Sequence, residues 1–430
     1  MRFSTHTLGC KVNQYETGSV EMILSSKNHT QVKPGEGCDV CFINTCAVTA
    51  ESVRKSRQAV RRLQKAEPDA LIAVCGCASQ LEPSTFEALG AGLVGGSGDR
   101  LGFIAKLEQL AENRSDAASR LLDAPENRRF FEQLPPGQPS GRTRALLKIQ
   151  DGCENYCAYC IVPYVRGPVR SLPPTQAAES AGRLAEQGAR EIVITGIEIS
   201  SYGKDLKDHP TLTDVLLAVS ESAPGARLRL SSLDPGAITR DFCAKLGEVP
   251  NLCDHFHLSL QSGCDDTLRR MGRKYDSDTV LEAITSLRRL FPDCGLTADL
   301  ITGFPGETNE EFRQTMEFIK TAAFSDMHIF PFSPRPGTAA SDMPGQTDKK
   351  VRQDRARLAA AAALDMARGF RLGQVGKTVD VLFERKRSGL WIGHSGNYIE
   401  VAVASGGAKN SVCPVRITCV QDDGVLGEIV

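Results

Sequence analysis

Apolar and polar positions follow three textures along the chain. Up to residue 113, short apolar runs predict strands at Phe3 to Leu8, Val40 to Asn44, Leu71 to Val74 and Leu93 to Val94. Between them, helix-like segments run from Gln14 to Ser25, Ala50 to Gln64 and Leu101 to Ala111. Such alternation predicts a parallel sheet, because parallel neighbours need a crossover long enough to return over the sheet face. Residues 114–142 turn polar and close on LPPGQPSGR, whose prolines and glycines break both kinds of element, so a linker is expected there.

From Arg144 the alternation resumes, with apolar runs at ALLKI, EIVIT, ARLRLSS, FHLSL, LTADLI and MHIFPF. Six such units predict an α/β barrel, partial or full, since pattern alone does not decide closure. VRQDRARLAAAAALDMARGF reads as a long helix with no breaker before Gly369. After Arg371, five short runs (VDVLFE, LWIGH, YIEVAV, VCPVRITCV and GVLGEIV) separated by glycine-containing turns predict a small all-β barrel, the geometry of many oligonucleotide-binding modules. The expected organisation is an α/β domain over 1–113, a linker over 114–142, a barrel domain over 143–370 and a β module over 371–430.

Composition narrows the class. With 430 residues, 41% hydrophobic and 24% charged, the chain is neither disordered nor of low complexity. Its longest run without a charged or strongly polar residue, Ala70 to Ala78, is far short of the ~20 residues of a membrane span. The amino terminus, MRFSTHTLGCK, has no apolar stretch of a signal peptide, so no membrane partner and a cytoplasmic location are expected. Basic and acidic residues balance, 51 against 52, so any polyanion site has to be local.

Cysteine is the outlier, at 15 residues. Thiols stay reduced in the cytosol and the count is odd, so metal or cluster ligation is a better reading than a disulfide framework. Cys153-x3-Cys157-x2-Cys160, in DGCENYCAYC, follows the strand ALLKI. Three close thiolates on one loop can hold three corners of an iron–sulfur cubane and leave the fourth iron open. A zinc site normally wants four ligands in paired C-x2-C form, and three unrelated thiols at a strand's end are rare by accident.

In the first domain Cys10, Cys46 and Cys77 each stand just past a successive strand, in TLGCKVNQYE, INTCAVT and VCGCASQ. The carboxyl ends of parallel strands share one rim, so these three thiols are expected to converge on a second cluster. Cys75 is the rival to Cys77, since both could face one side of a strand. Cys38 and Cys41 form a C-x2-C, for which small core thiols are the plainer reading than zinc or redox chemistry; the same holds for Cys243, Cys253, Cys264, Cys294, Cys413 and Cys419.

The 153–160 triplet resembles that of the radical S-adenosylmethionine enzymes. Together with the first triad, the β module and the motifs IVPYVRGPVRS, EIVITG, RLSSLDP, HLSLQSGCDDTLRRM, DLITGFPGET and FSPRPGTAA, the chain resembles the methylthiotransferases over nearly its whole length. TLGCKVNQYE is most similar to the branch acting on N6-threonylcarbamoyladenosine in tRNA. The resemblance implies an α/β fold with a partial TIM-like barrel and a TRAM-type β module, two 4Fe-4S clusters and S-adenosylmethionine as cofactors. By the same resemblance, Cys153, Cys157 and Cys160 hold the cluster whose electron splits S-adenosylmethionine to a 5′-deoxyadenosyl radical. Cys10, Cys46 and Cys77 hold the one that delivers sulfur to C2. It implies as partners tRNA, an electron donor such as flavodoxin or ferredoxin, and a sulfur source, with the chain acting as a monomer.

For the cofactor pocket the resemblance and the strand-end rule point to Tyr159 beside the adenine, Thr195 and Gly196 near the methionine end, and Gln261 and Ser262 aimed at the barrel mouth. Gly303 and Gly306 are expected to let the backbone approach near the adenine. Glu198 stands where a neutral or basic polar residue is expected. It could accept from the cofactor ammonium or be a solvated surface charge.

For RNA, the helix from Ala50 puts Arg54, Lys55, Arg57, Arg61, Arg62 and Lys65 on one face and Val53, Val60 and Leu63 on the other. Phosphate binding and a solvated face are equally good readings, as they are for Arg269, Arg270, Arg273 and Lys274. Trp391 and Tyr398 could stack on bases or belong to the core. Gly90-x-Gly92-x-x-Gly95 matches the dinucleotide fingerprint in letters but contains a strand instead of joining one to a helix, so it is rejected. His255 and His257 alternate on a strand and read as barrel polar residues.

Overall fold

The computed structural model describes residues 1–113, 118–137 and 143–430. The first six strands form one parallel sheet, in the order Thr30–Gln31, Arg2–Thr7, Val40–Thr45, Leu71–Gly76, Leu93–Gly95 and Ser119–Leu121. Alternation along its strands feeds two cores. Phe3, Phe42 and Ala73 pack under the helices Lys11–Ser26 and Arg100–Asn113. Ile43 and Val74 pack under Ala50–Ala66, which buries Val53, Val60 and Leu63 as its spacing predicts. Thr49 caps that helix, its hydroxyl accepting from the Ser52 amide at 3.0 Å.

The expected linker is partly structural. Ser119–Leu121 is the edge strand of the sheet, and Leu134 is buried against Tyr15, Leu146 and Val193, with the Tyr15 hydroxyl donating to its carbonyl at 2.8 Å. Proline and glycine signalled a break in regular structure there, but a chain segment without a helix can still be buried when its carbonyls find donors. Residues 114–117 and 138–142 lie outside the described residues.

The second domain is a curved set of six parallel strands: Ala145–Lys148, Glu191–Thr195, Arg227–Leu230 running on into Ser232–Leu233, His255–Gln261, Gly295–Thr302 and Asp326–Pro331. The first and last do not pair, so the barrel is open on one side. Outward positions such as Leu147, Ile194, Leu230, Leu258 and Ala298 pack under the crossover helices. Inward positions carry Lys148, Arg229, His257 and Asp299. The open side receives the helix Lys11–Ser26: Tyr15 packs on the inward Leu146 and Val193, and the Ala50 amide donates to Ser333 Oγ at 3.4 Å beyond the last strand.

The helix Lys349–Leu372 leads to a closed five-stranded barrel of Thr378–Arg387, Leu390–Ser395, Glu400–Val403, Val425–Ile429 and Val412–Val420, around Phe383, Val401 and Ile417. This module seals the other end of the larger barrel. Tyr398, at φ +70, stacks on His255 and His394 and lies under the guanidinium groups of Arg144 and Arg229. Arg229 also donates to the carbonyls of Ser395 and Gly396 at 3.0 and 2.8 Å. Gly295 is required here, since a Cβ would sit 2.1 Å from the Asn397 carbonyl oxygen. Among the described residues no helix is long and apolar enough to cross a membrane.

A candidate active site between two cysteine triads

Cys10, Cys46 and Cys77 follow three strands that are neighbours in the sheet, and the fold brings them together. Cys46 lies in the electrostatic field of both Cys10 and Cys77, and Cys10 in that of Cys77. Gly9, at φ +101, lets the chain pass Cys46 closely: a Cβ there would be 2.9 Å from Cys46 Sγ. Gly76, at φ +112, is pinned by Thr45, whose carbonyl oxygen would lie 2.5 Å from an added Cβ.

That glycine sends the two rival cysteines to opposite faces of the sheet. It ends the strand and starts the helix Cys77–Leu81, so Cys77 joins the face that holds Ile161 and Val165. Cys75 is fully buried in the opposite core with Phe42 and Phe103, its thiol pushed up to about 12 by burial. Cys38 and Cys41 sit at the far end of the strands, their sulfurs 3.3 Å apart and bonded to Ser4.

The second triad lies on the loop between Gln150–Asp151 and the helix Val162–Arg166. Gly152, at φ +76, leaves no room for a Cβ, which would meet the Pro168 carbonyl at 1.9 Å. The Cys153 amide donates to the Gly167 carbonyl at 3.0 Å and the Cys160 amide to that of Cys157 at 2.9 Å, which winds the loop inward. Burial pushes the Cys153 and Cys160 thiols up to about 11 and 12, and each feels Cys157. Loading a metal centre therefore has to displace protons.

In neither triad do all three sulfurs lie within 4.8 Å of one another; among the described residues that spacing is met by His257, Asp299 and His328. Two thiolates on one tetrahedral zinc would be about 3.8 Å apart, from 2.3 Å bonds. Sets of three thiolates suit an iron–sulfur cluster with thiolate corners better than a four-ligand structural zinc.

Beside the second triad is a cavity of about 360 Å³, lined by Asn155, Cys157, Glu198, Asp234 and Arg273, within the range of small-ligand sites. Arg273 donates to Cys157 Sγ at 3.1 Å and to Asp234 Oδ2 at 2.7 Å. Sequence reasoning placed it in a basic group of undecided role; only folding shows that it belongs to the cysteine loop. Glu198 is buried, not a solvated surface charge. Burial, then the Asp234 carboxylate, push its carboxyl up to about 7.

The other expected pocket residues divide. Tyr159 packs with Ala158, Met271 and Phe304 under the loop. Thr195 is buried at a strand end, and a Cβ on Gly196 would come within 2.9 Å of Gln150. Gln150 went unnoticed in the sequence, yet its Oε1 accepts from the amides of Ile197 and Glu198 at 2.9 and 2.8 Å and so shapes this turn. Gln261 holds φ +66 at a register irregularity.

Ser262 does not face the barrel mouth as expected. Its hydroxyl pairs with Thr315 at 3.2 Å and accepts from the Cys264 amide, because the backbone irregularity turns it toward the helix Asn309–Ala322. Gly303 and Gly306 also have protein partners: a Cβ on Gly303 would strike Arg352, and the Gly306 amide donates to the Gly345 carbonyl at 2.8 Å. Their turn reaches the cysteine loop through Phe304.

A buried charge network joins the two triads. Arg166, fully buried, donates to Glu16 Oε1 at 2.7 Å, to both Asp151 oxygens at 3.2 Å and to Asn13 Oδ1 at 2.8 Å. Glu16 also pairs with Arg100 at 3.0 Å and Lys148 at 3.3 Å, which hold its carboxyl well below the usual range. Cys10 and Cys77 both feel the Arg166 charge.

Of the basic stripe, Arg54 pairs with Glu51, Arg57 with Glu82 and Arg62 with His6, while Arg61 and Lys65 are exposed. Arg269 and Arg270 pair with Asp266 and Glu311.

Residues 147–319 match the model of the radical SAM superfamily, and residues 2–94 that of an uncharacterized protein family, UPF0004. The chain is similar to the threonylcarbamoyladenosine tRNA methylthiotransferase MtaB of Bacillus subtilis, 35% identical over 92% of this chain and 89% of the relative. The enzyme of that name from Thermotoga maritima is 33% identical over 98% and 95%. The tRNA-2-methylthio-N(6)-dimethylallyladenosine synthase of Syntrophotalea carbinolica is 32% identical over 99% of each chain. In fold, the radical S-adenosylmethionine methyltransferase TsrM of Kitasatospora setae superposes with a TM-score of 0.59 at 13% identity, over 79% of this chain and 74% of its own. Fold and cysteine loop together define a radical S-adenosylmethionine enzyme. Within that class, the chain belongs to the tRNA methylthiotransferase family.

Proposed function

We propose that this enzyme adds a methylthio group to C2 of N6-threonylcarbamoyladenosine beside the anticodon of tRNA. The supporting observation is the pair of cysteine triads that meet through Arg166: its charge acts on Cys77 of the first domain's sheet rim, and the carbonyl of the next residue, Gly167, accepts from the Cys153 amide of the barrel loop. Cys153, Cys157 and Cys160 would hold one 4Fe-4S cluster, and Cys10, Cys46 and Cys77 the second. With S-adenosylmethionine bound, these groups supply the radical chemistry that an inert aromatic C–H demands, and the sulfur that replaces its hydrogen.

The chain's own part is placement. Arg273 fixes Cys157 and Asp234 together, Gln150 orders the 196–198 turn, and Glu198 offers a buried carboxylate to a cationic ligand. Tyr15 and Leu134 pack at the open side of the barrel and Tyr398 at its far end, so substrate would enter from the side of the triads. Electrons would come from a flavodoxin or ferredoxin in the cytoplasm, and replacement sulfur from a separate source.

Nucleoside mass spectrometry of tRNA from cells with and without the gene tests the reading. Loss of the methylthio-threonylcarbamoyl nucleoside on deletion is expected. An unchanged level, with loss of the methylthio-isopentenyl nucleoside instead, would move the chain to the other branch its relatives represent.

A further inference from the structure

Lys11 follows Cys10 directly and opens the helix that enters the barrel's open side. Its side chain is exposed, and among the described residues its ammonium has no ion-pair partner. The groups that neighbour it electrostatically are nonetheless internal to the barrel: the Tyr398 phenol, Arg144, Arg229 and Asp299. In turn, it acts on His328 and His255. An exposed amine in such surroundings stands in a recess where the helix meets the inward face of the barrel.

On those strands His257, Asp299 and His328 form a row. Asp299 Oδ2 faces His257 Nε2 at 3.3 Å, and its Oδ1 faces His328 Nδ1 at 3.2 Å. His257 Nδ1 is held by the Thr297 hydroxyl at 2.8 Å. Both oxygens of the Asp299 carboxylate are therefore engaged by imidazoles. Arg144 and Arg229 are each answered by a carboxylate, Glu384 at 3.2 Å and Glu191 at 2.7 Å, so among these cations Lys11 is the one left to meet an anionic ligand.

We propose that Lys11 binds the carboxylate of an N6-aminoacyl-carbamoyl substituent on the target adenosine and so selects for it, an inference that rests on the substrate reading above. The chemistry of adenine supports this. N6 and C2 lie on the same edge of the ring, separated by N1, so a substituent on N6 and the reacting C2 point to the same side. If C2 is presented to the Cys10 triad, a carboxylate carried on N6 falls close by, where the residue next to Cys10 can meet it. A charge-assisted hydrogen bond in a partly dehydrated recess discriminates against a neutral analogue by about tenfold or more.

The test uses anaerobically reconstituted full-length protein and two anticodon stem-loop RNAs. One carries threonylcarbamoyladenosine and the other the same nucleoside with its carboxylate converted to the primary amide. Affinity is read by fluorescence anisotropy, and cluster content by iron count. Wild type should bind the carboxylate RNA about tenfold more tightly than the amide. Lys11→Met should bind both at the amide's affinity with iron content unchanged, and Lys11→Arg should recover most of the preference. A Lys11→Met protein that keeps the preference overturns the inference, as does a wild type that methylthiolates threonylcarbamoyladenosine without distinguishing the two RNAs. Those results leave the substrate reading standing. Methylthiolation of isopentenyladenosine alone would instead remove the reading on which the inference rests.

Discussion

Glu16 is the residue on which the junction of the two domains depends, and replacing it with glutamine tests this. Its carboxylate meets Arg166 at 2.7 Å, Arg100 at 3.0 Å and Lys148 at 3.3 Å, and every side chain in the set is at most 2% exposed. Removing one partner from a buried ion pair leaves uncompensated charge and costs about 3–5 kcal/mol. The natural control is Glu51→Gln: Glu51 meets Arg54 at 2.5 Å, but the two side chains are 50% and 58% exposed, where such pairs contribute about 0–1 kcal/mol. Geometry alone would rank the exposed pair as the stronger; burial reverses the order.

Urea unfolding followed by far-UV circular dichroism is the assay, because the single tryptophan, Trp391, lies in the β module and does not report on this junction. At slopes of about 1–3 kcal/mol per molar, Glu16→Gln should lower the first midpoint by about 1 M or more. Glu51→Gln should barely move it. The pH dependence has a definite sign. Because its cationic partners depress the Glu16 carboxyl in the folded state, its contribution is complete above the unfolded value of about 4.3 and is lost only as pH falls toward the folded one. The gap between wild type and Glu16→Gln should therefore stay constant from pH 5 to 8 and narrow in acid. Equal midpoints for the two variants would refute the argument from burial.

Iron counting after anaerobic reconstitution separates the cysteines: Cys77→Ala and Cys153→Ala should each lose about half the iron, and Cys75→Ala none. Arg273→Met should retain its iron while 5′-deoxyadenosine production falls about tenfold or more, since the bonds to Cys157 Sγ and Asp234 are both lost. Glu198→Gln should raise the melting temperature at pH 8 and leave it unchanged at pH 4.5. The raised carboxyl pKa means that ionisation destabilises the fold as pH climbs toward about 7, so removing the charge helps only there. Tyr398→Ala removes stacking on His255 and His394 and two cation–π contacts, so limited proteolysis should cut between the barrel and the β module faster than in wild type.

Much of the site was legible before folding. Strand-end placement grouped Cys10, Cys46 and Cys77, because in a parallel sheet position along the sequence converts directly into position on one rim. The triplet 153–160 was legible because its ligands are local. The texture of each segment likewise predicted three kinds of domain, since periods of two and of about 3.6 residues report which face is buried.

What required tertiary structure is whatever depends on two distant segments meeting. Cys77 parts from Cys75 through the positive φ of Gly76, and that conformation is imposed by contact with Thr45 on the next strand. The neighbours of Ser262, Gly303 and Gly306 are Thr315, Arg352 and Gly345, none of which a local pattern can name. Arg273 and Arg166 look like surface cations in a string of letters. Only burial against Cys157, Asp234, Glu16 and Asp151 gives them work at the site, because the value of a charge is set by what surrounds it. The sequence by itself thus grouped the two cysteine triads and the domain kinds, which are local or one-dimensional properties. Tertiary structure alone decided how the helix Lys11–Ser26 enters the open barrel and carries Cys10 and Lys11 to the recess it faces.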